Sequence, residues 1–209
     1  MNEVKKGSIE WRHERKIKAV EWTTRMFEDP GVVVMDTETT GLLSNKEAEI
    51  VEIAIVSLYG TVLFDSLIKP KLPIPHYATK IHGISNRDVA DKPTFGDVYE
   101  EIVDIFNSAS MVLVYNKSFD TEMLLRGSEL YGLTPFSTRC PTVIGRPDIP
   151  TNWFCAMKIY ATWVNDWNSY YDDFKFQPLN GGHRALGDCM ATIDRLREIT
   201  VDNQVELPF

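Results

Sequence analysis

The stretch that most constrains this chain is Val32-Val33-Val34-Met35-Asp36-Thr37-Glu38-Thr39-Thr40-Gly41-Leu42. Its four leading apolar residues predict a strand buried on both faces, of the kind found at the centre of a mixed sheet. Polar residues then begin abruptly, and Gly41 marks the turn that ends the strand. Asp36 and Glu38 are two apart, so on a strand they project from the same face. Two carboxylates side by side near a buried strand repel each other and need a counter-charge. A divalent cation is a natural partner, being hard and oxygen-seeking. Solvated acids at a strand end are the simpler alternative, so a metal site requires further carboxylates downstream.

The 209 residues suit one domain with a substantial core. A hydrophobic fraction of 44% with 11% aromatics is that of a globular chain. No run approaches the ~18 apolar residues of a membrane span, and no signal-peptide core precedes the first charged residues. No membrane partner is expected. The three cysteines, Cys140, Cys155 and Cys189, are odd in number and lack CxxC spacing. Neither a disulfide framework nor a zinc knuckle is indicated, and a reducing cytoplasm is the expected location. The net charge of −8 argues against a broad nonspecific grip on duplex nucleic acid. It leaves room for a compact site holding one strand end.

Residues 1–30 read as a helical extension, with Ile17, Val20 and Phe27 near one face and Arg12, Arg15, Lys16 and Lys18 around the rest. Pro30-Gly31 ends it. After the first strand, residues 50–56 and 61–69 read as a hairpin joined at Tyr59-Gly60, giving a three-strand antiparallel meander. Pro70, Pro73 and Pro75 predict an irregular loop carrying Ile81-His82-Gly83-Ile84-Ser85. Residues 95–106 suit a helix and 111–115 a buried strand. That strand runs into Asn116-Lys117-Ser118-Phe119-Asp120, with Ser118 as the expected N-cap of a helix reaching residue 130. Asp120 then lies in a first helical turn, where an acid suits the helix dipole whether or not it has chemistry to do. Residues 135–150 are turn-rich, 153–167 read as an aromatic helix, and 170–180 as irregular. Gly181-Gly182 is a flexible hinge before a last helix over 184–199. Residues 31–200 therefore form one unit, followed by a tail at 201–209.

The order β-β-β-α-β-α-(β)-α-α leaves acids at three strand or helix ends. Asp36, Glu38, Asp120 and Asp188 can converge on one sheet edge, with His183 mobile behind the double glycine. Four carboxylates suit two divalent ions about 3.5–4 Å apart, the arrangement for in-line phosphodiester cleavage. Histidine, with an ordinary pKa of about 6.5, suits a general base.

Asp36-Thr37-Glu38-Thr39-Thr40-Gly41-Leu42, the Asn116…Asp120 pair and His183-Arg184-Ala185-Leu186-Gly187-Asp188 resemble the three motifs of the DEDDh 3′→5′ exonucleases. These are relatives of the proofreading ε subunit of bacterial DNA polymerase III. The Ile81-His82-Gly83-Ile84 segment also resembles the family, and the likeness runs from about residue 31 to 199. The N-terminal helix resembles the leader of stand-alone bacterial and phage members. The resemblance implies a ribonuclease H-like α/β fold: a mixed five-stranded sheet, three strands antiparallel and the others parallel, flanked by helices. It implies that Asp36, Glu38, Asp120 and Asp188 bind two Mg²⁺ or Mn²⁺ ions and that His183 is the base that activates water. Thr37, Thr39, Leu42, His82 and Asn116 would contact a free 3′ end, most readily of single-stranded DNA, releasing 5′-mononucleotides in replication, repair or end processing. Where many relatives carry an acid–threonine pair, this chain has Cys155-Ala156-Met157.

The tail Gln204-Val205-Glu206-Leu207-Pro208-Phe209 resembles peptides that dock on the bacterial sliding clamp, with Gln204, Leu207 and Phe209 as contacts. A frayed or packed terminus is the simpler account. Two other functions share the pattern. One is an exoribonuclease trimming short RNA ends; the other is a noncatalytic nucleic-acid-binding or assembly subunit, which usually lacks an acid or the histidine.

Overall fold

The fold, a computed structural model, describes residues 5–134, 142–143, 146–150 and 152–201. The first half runs α1 (Ile9–Met26), β1 (Val32–Thr39), β2 (Ile50–Ser57), β3 (Val62–Leu67), α2 (His76–His82), α3 (Phe95–Ser108) and β4 (Met111–Val114). The second runs α4 (Lys117–Leu130), β5 (Thr142–Val143), β6 (Arg146–Pro150), β7 (Trp153–Cys155), α5 (Ala156–Val164), β8 (Trp167–Asn168), β9 (Asp173–Phe174) and α6 (Ala185–Thr200). Five strands form the main sheet in the order β3-β2-β1-β4-β7. The β1–β2 and β2–β3 pairs are antiparallel, whereas β1–β4 and β4–β7 are parallel. This is the expected mixed sheet, and β1 is its middle strand.

Strand alternation on β1 divides the interior into two layers. Val33 and Met35 belong to a cluster with Phe95, Tyr99, Ile102 and Phe106 of α3 and Met123 and Leu124 of α4. Val32 and Val34 belong to the opposite cluster, with Cys189, Ile193, Leu196 and Ile199 of α6. Val20 and Met26 of α1 join this second layer, with Ile17 and Phe27 partly buried against it. Ser8 starts α1 by accepting the Trp11 N–H at 3.2 Å, and Thr94 and Asp97 form a capping box at α3.

Four local elements differ from the sequence reading. The proline-rich segment contains α2, entered at Pro75 and stopped by Gly83 at φ 79°. Proline is compatible with a helix start, so the segment needed only about two turns of helical sequence after it. Residues 153–155 are the fifth strand rather than helix, with Trp153, Phe154 and Cys155 in register against Val112, Leu113 and Val114 of β4. Parallel pairing to an already buried strand outweighs helical periodicity there. The N-cap of α4 is Asn116, not Ser118. Within 165–180, β8 and β9 pair as a small hairpin, and Trp167 and Phe174 on it pack around Trp11 of α1. Cys140 and the tail residues Gln204, Leu207 and Phe209 lie outside the described residues. Among the described residues, no helix is long and apolar enough to cross a membrane.

Gly127 of α4 packs where the α3 ring of Phe95 crosses it; a Cβ there would meet the ring at 2.8 Å. Gly127→Ala gains about 1 kcal/mol of helix propensity. It also incurs an overpacking cost of ~1–3 kcal/mol, since Phe95 is buried. A lower melting temperature is expected by calorimetry; a higher one would show that Phe95 has room to yield.

Candidate active site

The sheet brings the sequence-predicted acids to the C-terminal end of β1. Asp36 and Glu38 lie on the face that β1 turns to α6, continuing the line of Val32 and Val34. Asp188 sits in the first turn of α6, and Asp120 in the first turn of α4. Among the described residues, Glu38, His183 and Asp188 form a tight group: each offers a ligand atom within 4.8 Å of those of the other two. Asp36 and Asp120 are outside that group of three but close enough for charge repulsion with it.

Burial and mutual repulsion both disfavour the ionised acids. Asp36 is raised well above the usual carboxylate range, chiefly by burial and then by Asp120, Asp188 and Glu38. Glu38 is pushed to about 8 by burial, then by Asp188 and Glu52. Asp120 is pushed to about 7 by burial, opposed by the hydroxyl of Thr37. Asp188 is also raised by burial, with His183 pulling the other way.

Thr37 points to the opposite side of β1 and donates its Oγ1 hydrogen to Asp120 Oδ1 at 2.7 Å. Its side chain is buried and ties β1 to α4. Asp188 Oδ1 is buried and has no hydrogen-bond partner among the described residues. Beside it passes the backbone of Gly181, where a Cβ would lie 2.1 Å from that oxygen. Gly181 therefore allows the chain to cross directly over the Asp188 carboxylate. His183 is exposed and adopts φ 58°.

Sequence reasoning missed Glu52. This β2 residue lies opposite Glu38 in the β1–β2 register and is 3% exposed. Its carboxylate accepts from Arg184 Nε at 3.1 Å to each oxygen, from Arg184 Nη2 at 2.6 Å and from the Ala185 N–H at 2.9 Å. A lone acid in the apolar run Ile50-Val51-Glu52-Ile53-Ala54-Ile55-Val56 was the available signal.

The turn after β1 is braced from several sides. Thr40 exchanges bonds with Glu49, its N–H donating to the Glu49 carbonyl at 2.8 Å and its Oγ1 accepting from the Glu49 N–H at 2.9 Å. Tyr77 of α2 donates its hydroxyl to the Thr40 carbonyl, and Thr39 Oγ1 donates to the Gly41 carbonyl. Arg126 of α4 donates to the carbonyls of Leu43 and Asn45, each at 3.0 Å. His82 is buried, its Nδ1 accepting the Ile84 N–H at 3.0 Å; burial lowers its pKa, and the Thr39 backbone beside the ring partly offsets this. His82 thus stands behind the turn, while Leu42 is 71% exposed in front of it. Asn116 is exposed at the N-cap of α4 and makes no side-chain cap bond.

Comparison with known proteins places these residues in a family. Residues 33–196 match the family model RNase_T, described as exonuclease. The chain is 33% identical over 172 residues to the uncharacterized exonuclease CP81 of Escherichia phage 186, covering 77% of this chain and 84% of the phage protein. It is 35% identical over 96 residues to the DNA polymerase III ε subunit of Rickettsia conorii, covering 44% of this chain and 41% of that subunit. Among solved structures, exonuclease X in complex with 5′-overhanging duplex DNA superposes with a TM-score of 0.54 at 26% identity, over 84% of this chain and 95% of that one. The fold is the ribonuclease H-like one of these exonucleases. With a family match that contains the whole acidic cluster, the chain belongs to the RNase_T exonuclease family.

Proposed function

We propose that this protein is a 3′→5′ exonuclease of the DEDDh type that removes 5′-mononucleotides from single-stranded DNA ends. The observation that carries the reading is the joint placement of four repelling carboxyl groups and an exposed His183 at one end of β1. The cluster fits a divalent-cation site because Asp188 Oδ1 is buried without a partner among the described residues and the carboxylate donors are hard oxygens. Asp36, Glu38, Asp120 and Asp188 would hold two Mg²⁺ or Mn²⁺ ions, which when bound supply Lewis-acid polarisation and a more acidic water.

The chain's own residues do the remaining work. A ring nitrogen of His183 takes the proton of the attacking water, its exposure leaving it open to solvent and its neighbours keeping it beside the acids. Thr37 fixes Asp120 through its hydroxyl, so its contribution is positioning rather than substrate contact. Leu42 faces outward on the braced turn, and it and the Thr39 backbone would pack against the terminal nucleotide. His82 supports that turn from its buried position, and Asn116, exposed at the start of α4, would add a polar contact to the chain end. The preference for DNA draws support from the kinship with a DNA polymerase subunit and with exonuclease X, which has been captured on DNA.

His183→Ala should lower the rate on a 5′-labelled single-stranded oligonucleotide by roughly 10²–10⁴, the usual contribution of acid–base assistance. Asp36→Ala should be lower still and chelator should stop wild-type turnover. Full activity in purified Asp36→Ala would overturn the mechanism. Product ladders on matched DNA and RNA oligonucleotides, each with free or blocked 3′ ends, test polarity and sugar together. Digestion of 3′-blocked strands from the other end, or of RNA alone, would reject the corresponding part of the reading.

Stability should also depend on pH in a defined direction. Glu38 rises from 4.5 to about 8 and Asp120 from 3.8 to about 7. Between the unfolded and folded values the native state binds more protons, so stability falls as pH rises. In metal-free buffer the melting temperature should therefore drop from pH 5 to pH 8. Mn²⁺ should raise it more at pH 8 than at pH 5, because ligand carboxylates must be deprotonated. Glu38→Gln should flatten the metal-free slope; an unchanged slope would place the linkage elsewhere.

A further inference from the structure

His183 occupies the left-handed region at φ 58°, a conformation uncommon for any residue with a Cβ. Such a conformation persists only where its surroundings impose it. On its N-terminal side are Gly181 and Gly182, the latter at φ 100°, which constrain the backbone little. On its C-terminal side the chain is tied down at once. Arg184 and the Ala185 N–H converge on the two oxygens of Glu52, through contacts of 2.6 to 3.1 Å.

Two further facts bear on what Glu52 does. No side chain of α6's own N-cap residue satisfies the first turn, so Glu52 caps this helix from a neighbouring strand. Both Glu52 oxygens are engaged by Arg184, and Ala185 adds a further donor, which leaves the carboxylate a fixed anchor rather than another free ligand. Without Arg184 it would add one more negative charge directly across the strand pair from Glu38.

We propose that Glu52 is a positioning residue: through Arg184 and Ala185 it anchors the C-terminal side of the hinge and holds His183 left-handed, beside Glu38 and Asp188. The catalytic consequence rests on the exonuclease reading; the mechanical one does not. Arg184 is the adaptor, its planar guanidinium meeting the carboxylate with two nitrogens. Glu52 touches neither substrate nor reacting atoms, so removing it should cost rate only while His183 is present.

The test is a double-mutant cycle between Glu52→Ala and His183→Ala, with Glu52→Gln as the conservative variant. Loss of the anchor should lower kcat about 10–100-fold with KM within about twofold, as expected for a displaced catalytic group. In the His183→Ala background the same change should cost less than about twofold. Glu52→Gln, which keeps acceptor capacity but loses charge, should fall between wild type and Glu52→Ala. Mn²⁺ affinity by calorimetry should stay within about threefold of wild type, whereas hydrogen exchange of the 181–185 amides should quicken about tenfold. Additive losses in the cycle, or unchanged exchange in that segment, would overturn the proposal. If Glu52→Ala does not fold, the same cycle and exchange measurement on Glu52→Gln decide. If the wild type hydrolyses no nucleic acid, the exonuclease reading fails, and the exchange result still decides whether Glu52 holds the hinge.

Discussion

Repulsion among carboxyl groups at the end of β1 sets the terms for the structure around it. Asp36, Glu38, Asp120 and Asp188 each have ionisation disfavoured by burial, and their neighbours' charges add to this. A flexible scaffold would relieve that pressure by moving the groups apart. Here the strand carrying two of them is held by hydrogen bonds to β2 on one edge and β4 on the other. The energetic burden is accepted in the folded state, and the rest of the chain keeps the groups from separating.

Alternation along one strand then recruits two different helices. Even-numbered residues of β1 look towards α6, so Asp36 and Glu38 meet Asp188. Thr37, pointing to the other layer, reaches α4 and fixes Asp120. The same pleat that separates the two core clusters thereby joins both helices to one site. Gly181 completes the packing, because its missing side chain lets the backbone cross over Asp188.

Much of this was legible in the sequence because it is encoded in short patterns. The apolar run ending in Asp36 and Glu38 foretold the central strand, and the meander followed from hydrophobic runs and a Tyr59-Gly60 turn. The proximity of Glu38, His183 and Asp188 was within reach of motif spacing. What escaped was set by long-range pairing. β7 is strand only because β4 lies beside it, and no local signal distinguishes it from the helix that follows. Glu52 looked like an isolated acid, since its partner Arg184 is 132 residues away. Tyr77 and Arg126, which brace the turn at residues 40–45, carry no spacing that announces the carbonyls they hold.

That bracing has a consequence for recognition. Leu42 is an apolar side chain displayed to solvent from a turn anchored by Tyr77, Arg126 and Glu49. An exposed apolar group on a loose loop must be ordered before it can be used, and that ordering subtracts from affinity. Here the ordering is already done by folding. In the proposed exonuclease, a ring or sugar face settling on Leu42 would keep nearly the whole gain from the water it displaces, so one side chain would act as a firm stop for a chain end.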